Sequence, residues 1–427
     1  MQALQPTGRA VHARAPRSAP PLPPAADAAE GAELLDEVSG PLAVLLWGAF
    51  RDFMLWAETP PGARRRLFEP GAGELRRAEL AAAAPEQELW APLLTLAQMA
   101  DEPEHADLTR LVFAVRALAR WAERRGVPGV RLAFTHAAAV ALADDPRLAL
   151  EAARLARDAA RHAQAEVWFR RAIGLARGRD WETYAWGFIG LGVQYMRTGN
   201  YPAAQAVMRR ALRAARKRRL PALEGSAHHH LFVFSVDAGR MDEGYAHADA
   251  ALRAYGGNHP RLAALAHDLG CFWSEQGRFA RALSIFDLSL PHFPDEGPAR
   301  LLALANVVRA AAGAGERARY EAARGEAIPL AALPVSAENA AESLLLIAQG
   351  DVCLGEWARA EAAARAALAV ARERDEARTL MSAEAQLEAA LHGRAVERPT
   401  PPETTELARR ADELAGQVRA SLTLAPA

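Results

Sequence analysis

The chain has 427 residues, 51% of them hydrophobic, and a formal net charge of −1. That length suits two or three average domains or one long repeat array with a sizeable core, and the near-neutral balance excludes a global attraction to nucleic acid or anionic membrane. Two cysteines, Cys271 and Cys353, are too few for a disulfide framework and point to a reducing, cytoplasmic setting. Lys217 is the only lysine among many arginines, which together with the alanine richness reads as GC-rich bacterial coding, not as function.

Residues 1–30 are rich in Pro, Ala and Arg, carry no acid before Asp27 and lack the apolar core of a signal peptide. A disordered tail is expected there, its Pro20–Pro24 run being a weak polyproline ligand. Residues 31–103 read as a helical region of two or three helices, broken at Pro60-Pro61 and Gly71-Ala72-Gly73. Its most apolar stretch, PLAVLLWGAFRDFMLWAET (41–59), is too short to span a bilayer and has Arg51 and Asp52 in its middle. Apolar residues at 42, 45, 46, 50, 53 and 56 follow a helical period, so a helix packed against a neighbour is expected, and no transmembrane segment.

From 104 to 392 the pattern changes to paired helices. Two runs over 104–143 are split by Gly126-Val127-Pro128-Gly129; Asp144-Asp145-Pro146 is a helix start, and AQAEVWFRRAIGLA (163–176) reads as the partner helix, without a turn glycine. Beyond this, glycines recur with fixed company. Gly199 is followed at offsets two, five and nine by Tyr201, Ala204 and Met208; Gly277 by Phe279, Ala282 and Phe286; Gly239 by Met241, Gly244 and Ala248; Gly355 by Trp357, Ala360 and Ala364. Eight residues before these glycines stand Leu191, Leu231, Leu269 and Ile347. In a fifth unit, set on Gly313, Gly315 replaces the large residue and Arg309 the aromatic, so that repeat reads as degenerate.

LGVQYMRTGNYPAAQAVMRRAL (191–212) and LGCFWSEQGRFARALSIFDLSLPHFP (269–294) carry the pattern best, and it resembles the tetratricopeptide repeat (TPR) superfamily. Intervals of 40, 38, 36 and 42 between the five glycines match its longer-repeat members. The resemblance implies an all-α, right-handed α-solenoid of about six TPR-like helical hairpins with helical caps. In each, a turn glycine ends the first helix, and a small residue lets the second approach closely. Residues 393–402 read as a linker and 403–427 as a C-terminal capping helix and tail, hiding the open hydrophobic end of the array.

Catalytic motifs are missing: there is no GxxxxGK[ST], G-x-S-x-G, H-E-x-x-H or C-x-x-C, and GLGVQY at 190 lacks the third glycine of a dinucleotide loop. No enzyme activity, cofactor or metal is expected. The sharpest chemical alternative is that His229, His267 and Cys271, which share a slot or one turn of it in consecutive repeats, bind a metal; consecutive His228–His230 point about 100° apart and cannot converge. The plainer reading makes them polar groove residues. RRALRAARKRRL (209–220) spaces Arg209, Arg213, Arg216 and Lys217 along a helix. As a second helix this is an outer solvated face, and nucleic-acid binding is disfavoured.

The first helices of TPR hairpins line the concave face, and the residues in their slots are Arg154, Arg157, Trp186, Ile189, Val193, Met196, Arg197, His229 and His267. Apolar anchors beside arginine donors suit a protein or peptide partner. The expected function is therefore a non-catalytic scaffold or adaptor binding its partner in that groove. The alternative is a sensor whose solenoid changes shape on binding a ligand or peptide.

Overall fold

The computed structural model describes residues 20–22, 33–257, 259–394 and 405–424. Most of the 1–30 tail and of the 393–402 linker lies outside the described residues. Among those described, α-helices and three short 3-10 turns are the only regular elements. An N-terminal group comprises α1 (Glu33–Glu37), α2 (Gly40–Glu58), α3 (Ala72–Ala83) and α4 (Gln87–Asp101). Seven antiparallel hairpins follow: α5 (Leu108–Arg125) with α6 (Pro128–Ala141), α7 (Pro146–Asp158) with α8 (His162–Ala176), and α9 (Trp181–Arg197) with α10 (Tyr201–Arg218). Next come α11 (Pro221–Asp237) with α12 (Met241–Tyr255), and α13 (Leu262–Glu275) with α14 (Phe279–Ser289). The last two are α15 (Pro298–Ala314) with α16 (Arg317–Ala331), and α17 (Ala337–Cys353) with α18 (Trp357–Glu373). The chain ends in α19 (Ala377–Leu391) and α20 (Thr405–Leu424).

The turns explain the glycine pattern. Gly199, Gly239, Gly277, Gly315 and Gly355 all sit at φ between 71° and 76°. Each is followed by an amide that reaches back over the helix end, as in Asn200 N to Tyr195 O (2.7 Å) and Arg278 N to Trp273 O (2.9 Å). This left-handed cap strains any residue with a Cβ, so glycine recurs. Where the turn glycine is missing, Ala160 adopts φ 59° and Arg161 N still bonds Ala156 O at 2.7 Å. The fifth unit turns on Gly315, not Gly313. Gly313 lies within α15, where a Cβ would stand 2.4 Å from the Phe279 ring of the preceding hairpin. The unit is therefore regular, offset by two residues from the sequence reading.

The small residues at offset five, Ala204, Ala282 and Ala360, are buried, as are Met208, Phe286 and Ala364 at offset nine. The Gly190 of GLGVQY admits Phe169, whose ring would lie 2.2 Å from a Cβ there, so this glycine serves helix contact and no nucleotide. At the N-terminal end, α2 buries Leu45, Leu46, Phe50, Phe53, Met54 and Trp56, and Phe50 meets Phe134 of α6 edge-on at 6.1 Å. Glu37 accepts from Gly129 N and Val130 N (2.8 and 3.0 Å), satisfying orphan amides at the start of α6. One apolar core consequently runs from Leu34 to Leu191. No helix among the described residues is long and apolar enough to cross a membrane.

Two long-range contacts give the solenoid its shape. First, its later repeats return to the earlier ones. Arg197 of α9 pairs with Glu338 of α17, Arg378 of α19 with Asp237 of α11 (2.8 Å), and Arg374 Nη2 donates to the Asp158 carbonyl of α7 (2.9 Å). Second, α20 packs chiefly against α12, α13 and α14, in the middle of the array, instead of over the end of the last hairpin. Its buried stripe of Ala411, Leu414, Val418 and Leu422 joins their core, flanked by an Arg281–Asp412 pair.

Candidate binding groove

The first helices α7, α9, α11, α13, α15 and α17 turn one face toward each other across this closed superhelix, and most of the slot residues meet there. Arg154 of α7 stands over the Trp186 ring of α9 at 5.0 Å, and Arg261, at the start of α13, stands over the same ring at 5.4 Å. Among the described residues neither guanidinium pairs with a carboxylate. Burial lowers the Arg154 pKa first, and the positive charges of Arg157 and Arg261 add to it. His230 beside them is held well below its usual pKa, by burial and then by Arg261, His229 and Arg157. This corner is thus a half-buried, net-positive surface with an aromatic floor.

Arg157 and Arg197 do other work. Arg157 bonds Asp158 (2.6 and 2.8 Å), while Arg197 reaches both Asp158 and Glu338. Burial pushes the Asp158 carboxyl up, whereas Glu338, also desolvated, is held below its usual value because Arg197 and Arg157 outweigh that penalty. Close by, Glu342 of α17 keeps an exposed side chain, and desolvation by the surrounding helices raises its carboxyl. Arg197 is therefore a bridge between α9 and α17 rather than a free donor.

Of the apolar slot residues, Trp186, Val193 and Met196 remain partly exposed, but Ile189 does not line the groove. It is taken into the core with Phe188, Met208 and Leu212, because its position turns toward α10. His229 and His267 are also largely buried, at 4% and 5% exposure, and are held by polar contacts. His229 Nε2 lies 2.7 Å from Asp268 Oδ2 and its Nδ1 3.3 Å from the Tyr255 hydroxyl; this assigns the proton to Nε2. His267 Nε2 is 3.4 Å from Cys271 Sγ and 3.3 Å from Asn306 Nδ2, and its pKa is lowered, foremost by burial. Burial drives the Cys271 thiol well up, with Asp268, Glu342 and Glu275 adding to the shift. The three consecutive histidines diverge as helical geometry requires: His228 faces His247 (2.8 Å) and Arg216, His229 faces Asp268, and His230 neighbours Arg261.

The arginine stripe is separate. Arg209, Arg213, Arg216 and Lys217 are exposed on α10, with Arg216 paired to Glu224 at 2.8 Å. Open hollows of about 740 and 600 Å³ also lie outside the groove, the first beside Leu142 and Pro146, the second beside Phe279, Gly313 and Ala408. Sequence reasoning missed Arg261, Asp158, Glu338 and Glu342. Arg261 precedes its helix instead of occupying a repeat slot, and the acids matter only because the array winds back on itself.

No protein-family model matches the chain, and no curated protein does. Similar solved structures include the TPR2AB-domain:pHSP90-complex of yeast Sti1, 14% identical over 66% of this chain and 99% of that one, with a TM-score of 0.25. A Rap protein complexed with competence and sporulation factor is 10% identical over 86% and 99%, with a TM-score of 0.35. A circular tandem repeat protein is 14% identical over 90% and 98%, with a TM-score of 0.17. The hairpins themselves carry the assignment: successive antiparallel pairs, each closed by a left-handed cap and packed on the next, make this an all-α solenoid of TPR-like repeats.

Proposed function

We propose that the chain is a non-catalytic, cytoplasmic binding protein that takes a peptide or protein segment into the interior face of its solenoid. The observation that carries this reading is the Arg154–Trp186–Arg261 corner. Two guanidinium groups held over one indole, without a carboxylate of their own among the described residues, form a site for a carboxylate-bearing segment with an apolar or aromatic neighbour. Trp and Arg are also the residues that most often dominate binding energy. Selection from a random peptide library tests it. The intact protein should enrich acidic peptides, and Trp186→Leu combined with Arg154→Gln should lose them while circular dichroism is unchanged. Neutralising Arg209, Arg213, Arg216 and Lys217 should leave selection nearly intact. If the stripe variant is the one that loses binding, and binding falls steeply with salt, an electrostatic surface on α10 replaces the groove.

The sensor reading is favoured by one feature, the ion pairs that close the interior, Arg197–Glu338 and Arg378–Asp237. A segment entering between them must either fit beneath the closed pairs or part them. Small-angle scattering with and without a selected peptide separates these cases: a changed radius of gyration supports a shape-switching sensor, an unchanged one a static adaptor.

A further inference from the structure

One cluster in the groove is not used by peptide recognition. His267, Asp268 and Cys271, on adjacent faces of α13, each present a ligand atom, and these atoms all lie within 4.8 Å of one another. His267 and Cys271 are one helical turn apart, so their side chains stand on the same face. We propose that this corner is a binding site for a borderline-soft divalent transition metal, zinc above all. Cys271 Sγ, His267 Nε2 and a carboxylate oxygen of Asp268 would be its ligands, with a fourth position open to the groove.

Geometry is the first support. Zinc bonds of about 2.3 Å to sulfur and 2.0–2.1 Å to nitrogen place two tetrahedral ligands roughly 3.5 Å apart. The observed separation of His267 Nε2 and Cys271 Sγ is 3.4 Å. Tautomer is the second. Asn306 Nδ2 donates toward His267 Nε2 at 3.3 Å, so that nitrogen carries the lone pair of a neutral imidazole and would exchange the Asn306 bond for the metal. The third is the support behind Asp268. His229 Nε2 holds its Oδ2 at 2.7 Å and is itself fixed by Tyr255, an arrangement that orients a carboxylate ligand without occupying both its oxygens. Charge is the fourth. Asp268, Glu342 and Glu275 place negative potential on Cys271, and the opposing Arg309 is already paired to Glu275. Thiol, imidazole and carboxylate together suit zinc better than the hard cations, which prefer oxygen alone.

Cobalt(II) substitution tests the site on the full chain without a histidine tag, in a Cys353→Ser background, after dialysis against a chelator. One equivalent of cobalt should bind, giving a thiolate-to-cobalt charge-transfer band in the near ultraviolet and strong visible bands of a tetrahedral ion, and zinc should displace it. The near-isosteric Cys271→Ser should abolish the charge-transfer band, and His267→Gln should weaken binding at least about tenfold. His229→Gln should keep the charge-transfer band, shift the visible bands and weaken binding on the order of tenfold. Far-ultraviolet circular dichroism checks that each variant is folded, and Cys271→Ser alone decides the matter should the histidine variants unfold. Absence of the charge-transfer band in the parent protein, or cobalt retained unchanged by Cys271→Ser, would overturn the proposal and place any bound ion on other imidazoles.

Discussion

The seam between the sixth and seventh hairpins carries a buried carboxylate whose removal should be among the costliest single changes in the molecule. Asp351 of α17 is 0% exposed. It accepts from the Tyr320 hydroxyl at 2.6 Å and from Arg324 at 2.9 and 3.0 Å, both from α16. Burial, then the bond to Asp351, pushes the Tyr320 pKa up to about 12. Asp351→Ala strands two donors. The Tyr320 hydroxyl is fully enclosed and should lose about 1–3 kcal/mol of solvation without replacement. Breaking a buried pair outright costs about 3–5 kcal/mol, but the Arg324 side chain is 18% exposed and can turn toward water, so its share falls well below that. A total near 3 kcal/mol is expected. Tyr320→Phe alone should cost about 1.5–3 kcal/mol for a hydrogen bond to a charge, and the double variant should show a coupling of about 1–2 kcal/mol. Urea titration followed by circular dichroism measures all three, with hydrogen exchange showing whether the loss is confined to α15–α18. A loss below about 1 kcal/mol for Asp351→Ala would refute the reasoning, since a carboxylate sealed between α16 and α17 cannot be deleted so cheaply.

Phe286, 1% exposed against Gly270, should lose about 3–5 kcal/mol on Phe286→Ala by chemical denaturation; a negligible loss would contradict its burial. Ala160→Gly should raise stability by up to about 1 kcal/mol in the same assay, because Ala160 holds a left-handed conformation at φ 59° that costs about 1–2 kcal/mol with a Cβ, partly offset by the added freedom of glycine in the unfolded chain. His136 has its pKa lowered by burial from 6.5 to about 4, so the unfolded chain binds a proton there before the folded one does. Its contribution is fully present above pH 6.5 and is lost as pH falls toward 4, amounting to about 3 kcal/mol at most. His136 Nδ1 accepts from Trp168 Nε1 at 3.2 Å, and His136→Gln, which can still accept, should flatten stability against pH across that window. Removing residues 405–424 should speed hydrogen exchange in α12, α13 and α14 while leaving α2 to α6 protected; a uniform effect would show that α20 does not act where it packs.

What was legible in the sequence was local. A left-handed cap asks for glycine, two close helices ask for a small residue, and both demands recur at fixed offsets, so the hairpins at Gly199, Gly239, Gly277 and Gly355 can be read residue by residue. The fifth unit misled because two glycines stand two apart for different reasons. Gly313 makes room for Phe279 of the neighbouring hairpin, and only Gly315 turns the chain. Tyr320, at the offset where a small residue is usual, is tolerated because its hydroxyl finds Asp351. The groove was half legible. Slot position brought Arg154 and Trp186 to one surface, but a slot cannot tell that Ile189 rotates into the core or that Arg261 arrives from outside the repeat. Partners such as Glu338 and Asp237 depend on how far the array winds, a sum of small rotations that no local pattern encodes.

That winding has a thermodynamic consequence. An open solenoid behaves like a zipper: each repeat senses only its neighbours, contact order is low, and the array can fray from either end. Here Arg197 meets Glu338 across 141 residues and Arg374 meets the Asp158 carbonyl across 216. Joining distant repeats turns the row into a loop of mutual dependence, in which opening α17 to α19 also releases α7 and α9. The molecule should therefore melt more nearly as one unit than a linear array of equal length, at the expense of a slower search for its closing contacts.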